Sequence, residues 1–278
     1  MSPADQLGFW ERLLAHLGFG EERRAQMARK PFKILMVGES VFKIHTHFKG
    51  FASYETGYAS LSLDAFTERF TGTGVDIKFM PNHEVSLRFP GSLAEMQAYD
   101  AIIISDAPAD SFLLHPDSLA GAIMPNRLKL IGDYVRAGGG FAMIGGWMAF
   151  GGFHGKAHYA YSPLADLLPV KIAPHDDRME TPEGLCPSVT GAAHTILAGL
   201  PAEWPDFLGY NKVEQRGGTL LLEFPETHDP LLIVEEIGKG RVACFTSDIL
   251  PHWGSPRFTA WDGYVPFWEQ LFRWLAHK

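Results

Sequence analysis

Cys186 and Cys244 are the only thiols in a chain of 278 residues. So few cysteines leave no disulfide framework, and a reducing compartment is the simpler reading. Cys244 sits in the strand-like run Arg241–Phe245, where a thiol behaves as a small core side chain. Cys186 stands between Leu185 and Pro187, with neither a helix start nor an adjacent histidine to lower its thiol pKa, so it makes a poor nucleophile. Positive charge is also scarce. Lys and Arg number 24 against 32 Asp and Glu, a formal net charge of −8. With no basic stripe to neutralise a phosphate backbone, nucleic acid is excluded as a partner. The mixed-sign run Glu21–Lys30 reads as a solvated helix face. No apolar run reaches ~18 residues and acidic residues come early, so neither a membrane span nor a signal peptide is expected, and the chain reads as cytoplasmic. Internal repeats and low-complexity linkers are missing too.

What is present is an alternation of apolar runs with amphipathic ones. Phe32–Gly38 reads as a buried strand ending in glycine, followed by a polar and aromatic loop over Glu39–Tyr58 and a helix over Ala59–Phe70. Val75–Met80 and Ala101–Ile104 are further strands, with a short helix over Ser92–Ala98 between them. Asn126 suits the N-cap of a helix running through Ala137, and the three glycines that follow stop it. Phe141–Ile144 is the fourth strand. Such alternation predicts a single α/β domain over residues 31–278, with a flavodoxin-like three-layer parallel sheet carrying helices on both faces. Residues 150–190 lose periodicity. Beyond them Leu220–Phe224, Leu231–Glu235 and Val242–Phe245 read as strands separated by Pro230 and Gly238–Gly240, a partly antiparallel C-terminal extension. Tyr264, Phe267, Trp268, Leu271, Phe272 and Leu275 keep helical spacing and predict a closing helix with a buried aromatic face. At the other end Leu7, Trp10, Leu14 and Leu17 predict an amphipathic helix within an N-terminal extension, residues 1–30, packed on the body or serving as a contact for a partner.

Ligands of open α/β sheets bind at the carboxyl ends of the strands. The residues there are Glu39 and Ser40 after the first strand, Asp106 after the third, and Gly146 and Trp147 after the fourth. The run Gly138–Trp147 is a glycine cluster, four apolar residues and a Gly-Gly pair, the pattern of a tight turn that presents a nucleophile in hydrolytic α/β folds. Here neither Ser nor Cys follows the glycines; Trp147 does. His45 and His47, two apart on an extended loop, face the same way, and with Asp106 they could hold a metal, although no cofactor is required. After the last strand, Asp248, His252 and Trp253 fall within six residues, and Asp248 could orient His252 for acid–base work. The charged loop His175–Arg178 either reaches over the site or stays a solvated turn.

These segments resemble the class I glutamine amidotransferase-like superfamily, and more closely its branch of cytoplasmic proteins of unknown function. The resemblance spans residues 32–276 and is carried by Val37–Ser40, Thr46–Phe51, Pro125–Ile131, Gly145–Trp147, Thr246–Asp248 and Pro251–Trp253. It implies the fold. Glutaminases of the superfamily place Cys at the elbow and a His-x-Glu pair after a late strand; the matching positions here are Trp147, and Thr246 with Asp248. A branch with His at the elbow is linked to sugar catabolism. The expectation is therefore a member lacking the Cys/His/Glu triad, a pseudoenzyme in that sense. It would bind a small polar, carbohydrate-like molecule at the strand ends, with Trp147 and Trp253 as flat walls and Glu39, Ser40, His45, His47, Asp106, Gly146, Asp248 and His252 as contacts. Two alternatives stay open: a hydrolase or isomerase built on His252/Asp248 or a metal, and a non-catalytic assembly protein that forms a homo-oligomer.

Overall fold

The computed structural model describes residues 31–61 and 63–278, so the helix expected within residues 1–30 lies outside the described residues. The first half contributes β1 (Phe32–Gly38), a hairpin of β2 (Ser40–Lys49) and β3 (Ala52–Leu61), then β4 (Val75–Pro81), β5 (Ala101–Ser105) and β6 (Gly140–Ile144). The second half contributes β7 (Val170–Lys171), β8 (Arg178–Leu185), β9 (Ser188–Val189), β10 (Phe207–Asn211), β11 (Glu214–Gln215), β12 (Thr219–Phe224), β13 (Asp229–Ile237) and β14 (Gly240–Phe245). One eight-stranded sheet runs in the order β4-β1-β5-β6-β14-β13-β12-β9. Its first five strands are mutually parallel, and β13, β12 and β9 add on as antiparallel neighbours. This is a flavodoxin-like α/β architecture with a partly antiparallel extension.

Both faces of the sheet are covered, and β1 shows how. Ile34 and Met36 point into one core with Phe66, Trp268, Leu271 and Phe272; Leu35 and Val37 point into the other with Val85, Leu128, Ile131 and Val135. Successive strand residues face opposite sides, so a strand buried on both faces must be apolar throughout. The aromatic stripe of the closing helix, Tyr264–Leu275, is one of those covers. Helix Arg127–Arg136 is another, and Asn126 caps it by accepting from the Lys129 N–H at 3.0 Å. The glycines after it do more than stop the helix: a Cβ at Gly139 would lie 2.2 Å from the Tyr134 ring, and one at Gly140 2.5 Å from the Leu275 carbonyl.

Two sequence expectations fail in the first half. The segment expected as a loop, Glu39–Tyr58, is mostly the β2–β3 hairpin, and the helix expected over Ala59–Phe70 shrinks to Asp64–Glu68 because Ala59–Leu61 complete β3. The physical reason lies in the residues: Val41, Phe42, Ile44, Thr46 and Phe48 favour extended backbone, and Gly50, at φ 59°, permits the reversal. The sequence reading also missed the seven-residue helix Asn82–Arg88, too short to show a period.

That short helix ends in carbonyls short of backbone donors. Buried Arg127 supplies Nη1 to Val85 O at 3.0 Å, which also accepts the Phe89 N–H, and Nη2 to Ser86 O at 2.9 Å, while its Nε reaches Phe112 O of the helix Ala109–Leu113 at 2.7 Å. Arg127→Met keeps an apolar stem but leaves the Ser86 and Phe112 carbonyls unpaired. We expect it to lower unfolding free energy by about 1–3 kcal/mol in urea titrations with an unchanged m-value; an unaltered midpoint would show that water replaces the guanidinium at no cost.

Candidate functional site

The carboxyl ends of β1, β5 and β6 come unusually close. A Cβ on Gly38 would lie 1.7 Å from the Ser105 carbonyl, and one on Gly146, at φ 144°, would lie 2.7 Å from an Asp106 carboxylate oxygen. Each strand therefore turns sharply as it leaves the sheet. Glu39 and Asp106 make those turns in left-handed backbone, at φ 43° and 49°. Non-glycine residues rarely adopt it, and such strain gathers where a site is built. At the elbow the distorted residue is Gly146; Trp147 follows in ordinary backbone.

The turns aim three carboxylates at one another. Glu39 and Asp248 are buried and Asp106 is half-buried. Burial pushes the Glu39 carboxyl well up from the usual range, with the charges of Asp248 and Asp106 adding to the effect, although the Ser105 hydroxyl donates to it. Burial also raises Asp106, opposed by the Met148 N–H that donates to its Oδ1 at 2.6 Å and by His252. Asp248 is pushed up to about 8 by burial and then by Asp106, against backbone N–H groups that include Leu250 at 3.1 Å. Like charges brought together out of water cannot all ionise. At neutral pH the cluster therefore retains at least one proton.

Around the elbow lies a second group. Glu180 accepts the indole N–H of Trp147 at 3.2 Å and that of Trp253 at 3.0 Å. The Arg178 guanidinium lies 4.9 Å from the Trp147 ring and 4.2 Å from that of Phe153, held by paired bonds to Asp176. Below them Asn211 accepts from the Gly146 N–H at 3.0 Å and donates to Asp177 at 2.9 Å; Asp177 in turn accepts the N–H groups of Gly151 and Gly152. The charged loop His175–Arg178 thus braces the elbow rather than standing in solvent. Glu180 and Asn211 were missed by sequence reasoning, since they lie on short strands in aperiodic surroundings.

The structure brings Glu39, Asp106, Asp248, Gly146, Trp147 and His252 together. His252 is exposed, with its ring edge-on to Trp147 at 5.1 Å. Several expected contacts need correction. No hydrogen bond or ion pair joins Asp248 to His252 among the described residues; Asp248 is spent on its own turn, and Asp106 is the acid whose charge feels His252. Trp253 is fully buried beneath Gly209, where a Cβ would meet its indole at 2.3 Å, so it cannot wall a ligand. Ser40 ties the hairpin base to the body, its Oγ accepting from the Asn82 N–H at 2.7 Å. His45 and His47 do face the same way, but they stack on Tyr58 and Tyr54 out along the hairpin. Six extended residues separate His45 from Glu39, roughly 20 Å, too far to share a metal with Asp106. Among the described residues no group of three or more His, Cys, Asp and Glu is placed to hold a metal ion.

Glu39 also opens on a cavity of about 320 Å³ lined by Phe66, Arg69, Leu250, Pro251, Thr259 and Tyr264. Arg69 brings the only cation to this lining; it donates to Thr259 O and lies 5.1 Å from the Tyr264 ring. Larger hollows exist elsewhere, such as one of about 470 Å³ beside Arg88 and His115; what sets the Glu39 cavity apart is that the acid in its wall feels the charges of Asp248 and Asp106 just outside the lining.

The raised carboxyls set a pH dependence. A carboxyl whose folded pKa lies above its unfolded value near 3.9 binds more protons when folded, so stability is greatest below the unfolded pKa and is lost as pH rises towards the folded one. For Asp248 that window runs from about 4 to about 8. Asp248→Asn keeps an acceptor for the Leu250 N–H and removes the charge. We expect thermal melts of the variant to fall less steeply across that window than those of the wild type, and to lie above them at its alkaline end; parallel curves would mean that Asp248 ionises freely.

No helix among the described residues is long and apolar enough to cross a membrane. The comparisons with known proteins agree with the fold. A cytoplasmic protein of Salmonella typhimurium LT2 is 39% identical, with a TM-score of 0.82, over 87% of this chain and 99% of its own. A second cytoplasmic protein of Salmonella typhimurium is 38% identical, also at TM-score 0.82, over 87% of this chain and 98% of its own. A ThuA-like protein from Bacteroides uniformis shares the fold alone, at 12% identity and TM-score 0.54 over 89% and 93% of the two chains. No curated protein matches the sequence. The family described as "putative glutamine amidotransferase", GATase1-like, matches residues 33–277, and the chain belongs to that family.

Proposed function

We propose that this member of the family does not hydrolyse glutamine but binds a small polar, hydroxyl-rich molecule of carbohydrate type at the strand ends. The first half of the proposal rests on the elbow. A thioester needs a thiol where Trp147 stands. Of the late pair, Thr246 is fully buried and donates to Pro230 O at 2.7 Å, which leaves it no role as a base. Neither cysteine substitutes: Cys244 is buried in the sheet and Cys186 is exposed elsewhere, and burial raises rather than lowers both thiols.

The observation that carries the second half is Glu39, the member of the carboxyl cluster that lines the cavity. Burial and the charges of Asp248 and Asp106 push it towards its protonated form, which can both donate to and accept from a ligand hydroxyl, as an ionised carboxylate cannot. A cavity of about 320 Å³ falls at the small end of ligand sites, roughly 300–1,000 Å³. Arg69 adds a fixed donor and Tyr264 an apolar floor. A second reading, proton transfer to or from the bound molecule, is favoured by Asp106 alone, since its carboxyl feels His252.

Purified protein should release no ammonia from glutamine above background; release that survives in a Cys186→Ala, Cys244→Ala variant would overturn the elbow argument. In ligand-observed NMR against a panel of monosaccharides and polyols, we expect binding by the wild type. Glu39→Gln, which cannot present a hydroxyl donor, should weaken it about two- to tenfold, since losing a hydrogen bond between neutral groups costs about 0.5–1.5 kcal/mol. No binding by any member of the panel, or binding indifferent to Glu39→Gln and Arg69→Ala, would sink the ligand assignment.

A further inference from the structure

The β2–β3 hairpin is a separate two-stranded sheet of ten paired rungs, from Ser40↔Leu61 to Lys49↔Ala52. A lone two-stranded ribbon is at best marginally stable in water. Its two faces differ sharply. Directly paired residues share a face, so Lys43 with Tyr58, His45 with Thr56 and His47 with Tyr54 lie on one side. On that side the rings pair with one another, with Tyr54 and Tyr58 still about half exposed: His45 stacks on Tyr58 at 5.7 Å, His47 stacks on Tyr54 at 4.7 Å and bonds Thr56 at 2.9 Å, and Lys43 lies 5.9 Å from the Tyr58 ring.

The other face is apolar and bare. Phe42, Ile44 and Phe48 are 64%, 68% and 78% exposed. Their cross-strand partners are Ala59, Gly57 and Ser53, too small to shelter them. Among the described residues, the ring contact recorded for this face is that of Phe42, at the base, with His83 at 6.4 Å. Alternation of this kind marks a strand with one face meant for burial.

We propose that this face is the contact between two copies of this chain. The face is complementary to itself: one strand carries the large side chains and the other the small ones. Turning a second ribbon about a two-fold axis parallel to the strands sets Ile44 of each copy over Gly57 of the other, and Phe48 over Ser53. The Thr46↔Glu55 rung between them then meets its own image with the hydroxyl of one copy facing the carboxylate of the other. An isologous contact needs such a surface. Both lysines of the ribbon lie on the other side with His45 and His47, so the contact face carries a single charge, that of Glu55, set opposite a hydroxyl of the second copy and not opposite its own image. A lone carboxylate amid these apolar side chains suits such a pairing and is repelled by an anionic lipid surface. Because β2 starts one residue after Glu39, the joined arms rise beside the candidate site of each copy.

Sedimentation velocity over a wide concentration range tests this on the full-length chain. The wild type should associate to a dimer. Ile44→Ser with Phe48→Ser should give a monomer with unchanged circular dichroism and melting temperature, since neither side chain packs on the body. In a Cys186→Ala background, a short bismaleimide should cross-link Thr46→Cys protein to Glu55→Cys protein in preference to either variant alone, since facing ribbons stand about 10 Å apart, which fixes the register. A wild type that is monomeric throughout, or a dimer that persists in the serine variant, overturns the proposal. So does a dimer lost only on deleting residues 1–30, which would place the contact there. A monomer that floats with anionic vesicles and loses this with the serine variant would instead assign the face to lipid.

Discussion

Three carboxylates share a space from which water is largely excluded, and the surrounding structure follows from that constraint. Glu39, Asp106 and Asp248 leave the ends of β1, β5 and β14, three strands of the same parallel sheet. They can come together only because Gly38 and Gly146 let the backbone approach where no side chain fits. Two of them sit in left-handed backbone to do so. Repulsion between the acids and the cost of burying them oppose the arrangement. Retained protons, the Ser105 hydroxyl and the Met148 and Leu250 N–H groups offset it.

A site under such stress needs a rigid surround, and the second half of the chain supplies one. Strands β8 and β10 form a small sheet of their own; β8 sends Arg178 and Glu180 to the elbow and β10 sends Asn211. Asn211 holds the Gly146 N–H directly and Asp177 holds the next turn. Glu180 binds two indoles at once and so couples the position of Trp147 to that of Trp253. The tryptophan at the elbow is thereby fixed in place, half-exposed, with Arg178 stacked on it.

Much of this was legible in the sequence, for a definable reason. Strands buried on both faces are apolar from end to end, and the residues that follow them stand out as Glu39, Asp106, Trp147 and Asp248. Periodicity likewise exposed the helix Tyr264–Leu275. The hairpin was missed because only β2 alternates clearly, Phe42, Ile44 and Phe48 against Lys43, His45 and His47, while its partner strand sets small and polar residues opposite that apolar face. The Asp248–His252 pair was inferred from proximity along the chain, but a tight turn consumes Asp248 in its own backbone and swings His252 out to Trp147. Trp253, next to the strand ends, reads as a surface wall, but the glycine at position 209 that admits it to the core lies 44 residues away. Contacts of that span leave no local signature.

The account depends most on a proton held among Glu39, Asp106 and Asp248 at neutral pH. Infrared spectroscopy detects a protonated carboxylic acid directly through its carbonyl stretch. The account predicts such a band at neutral pH, with the part owed to Asp248 titrating near pH 8 and lost in Asp248→Asn. A spectrum with every carboxyl ionised at neutral pH would contradict it.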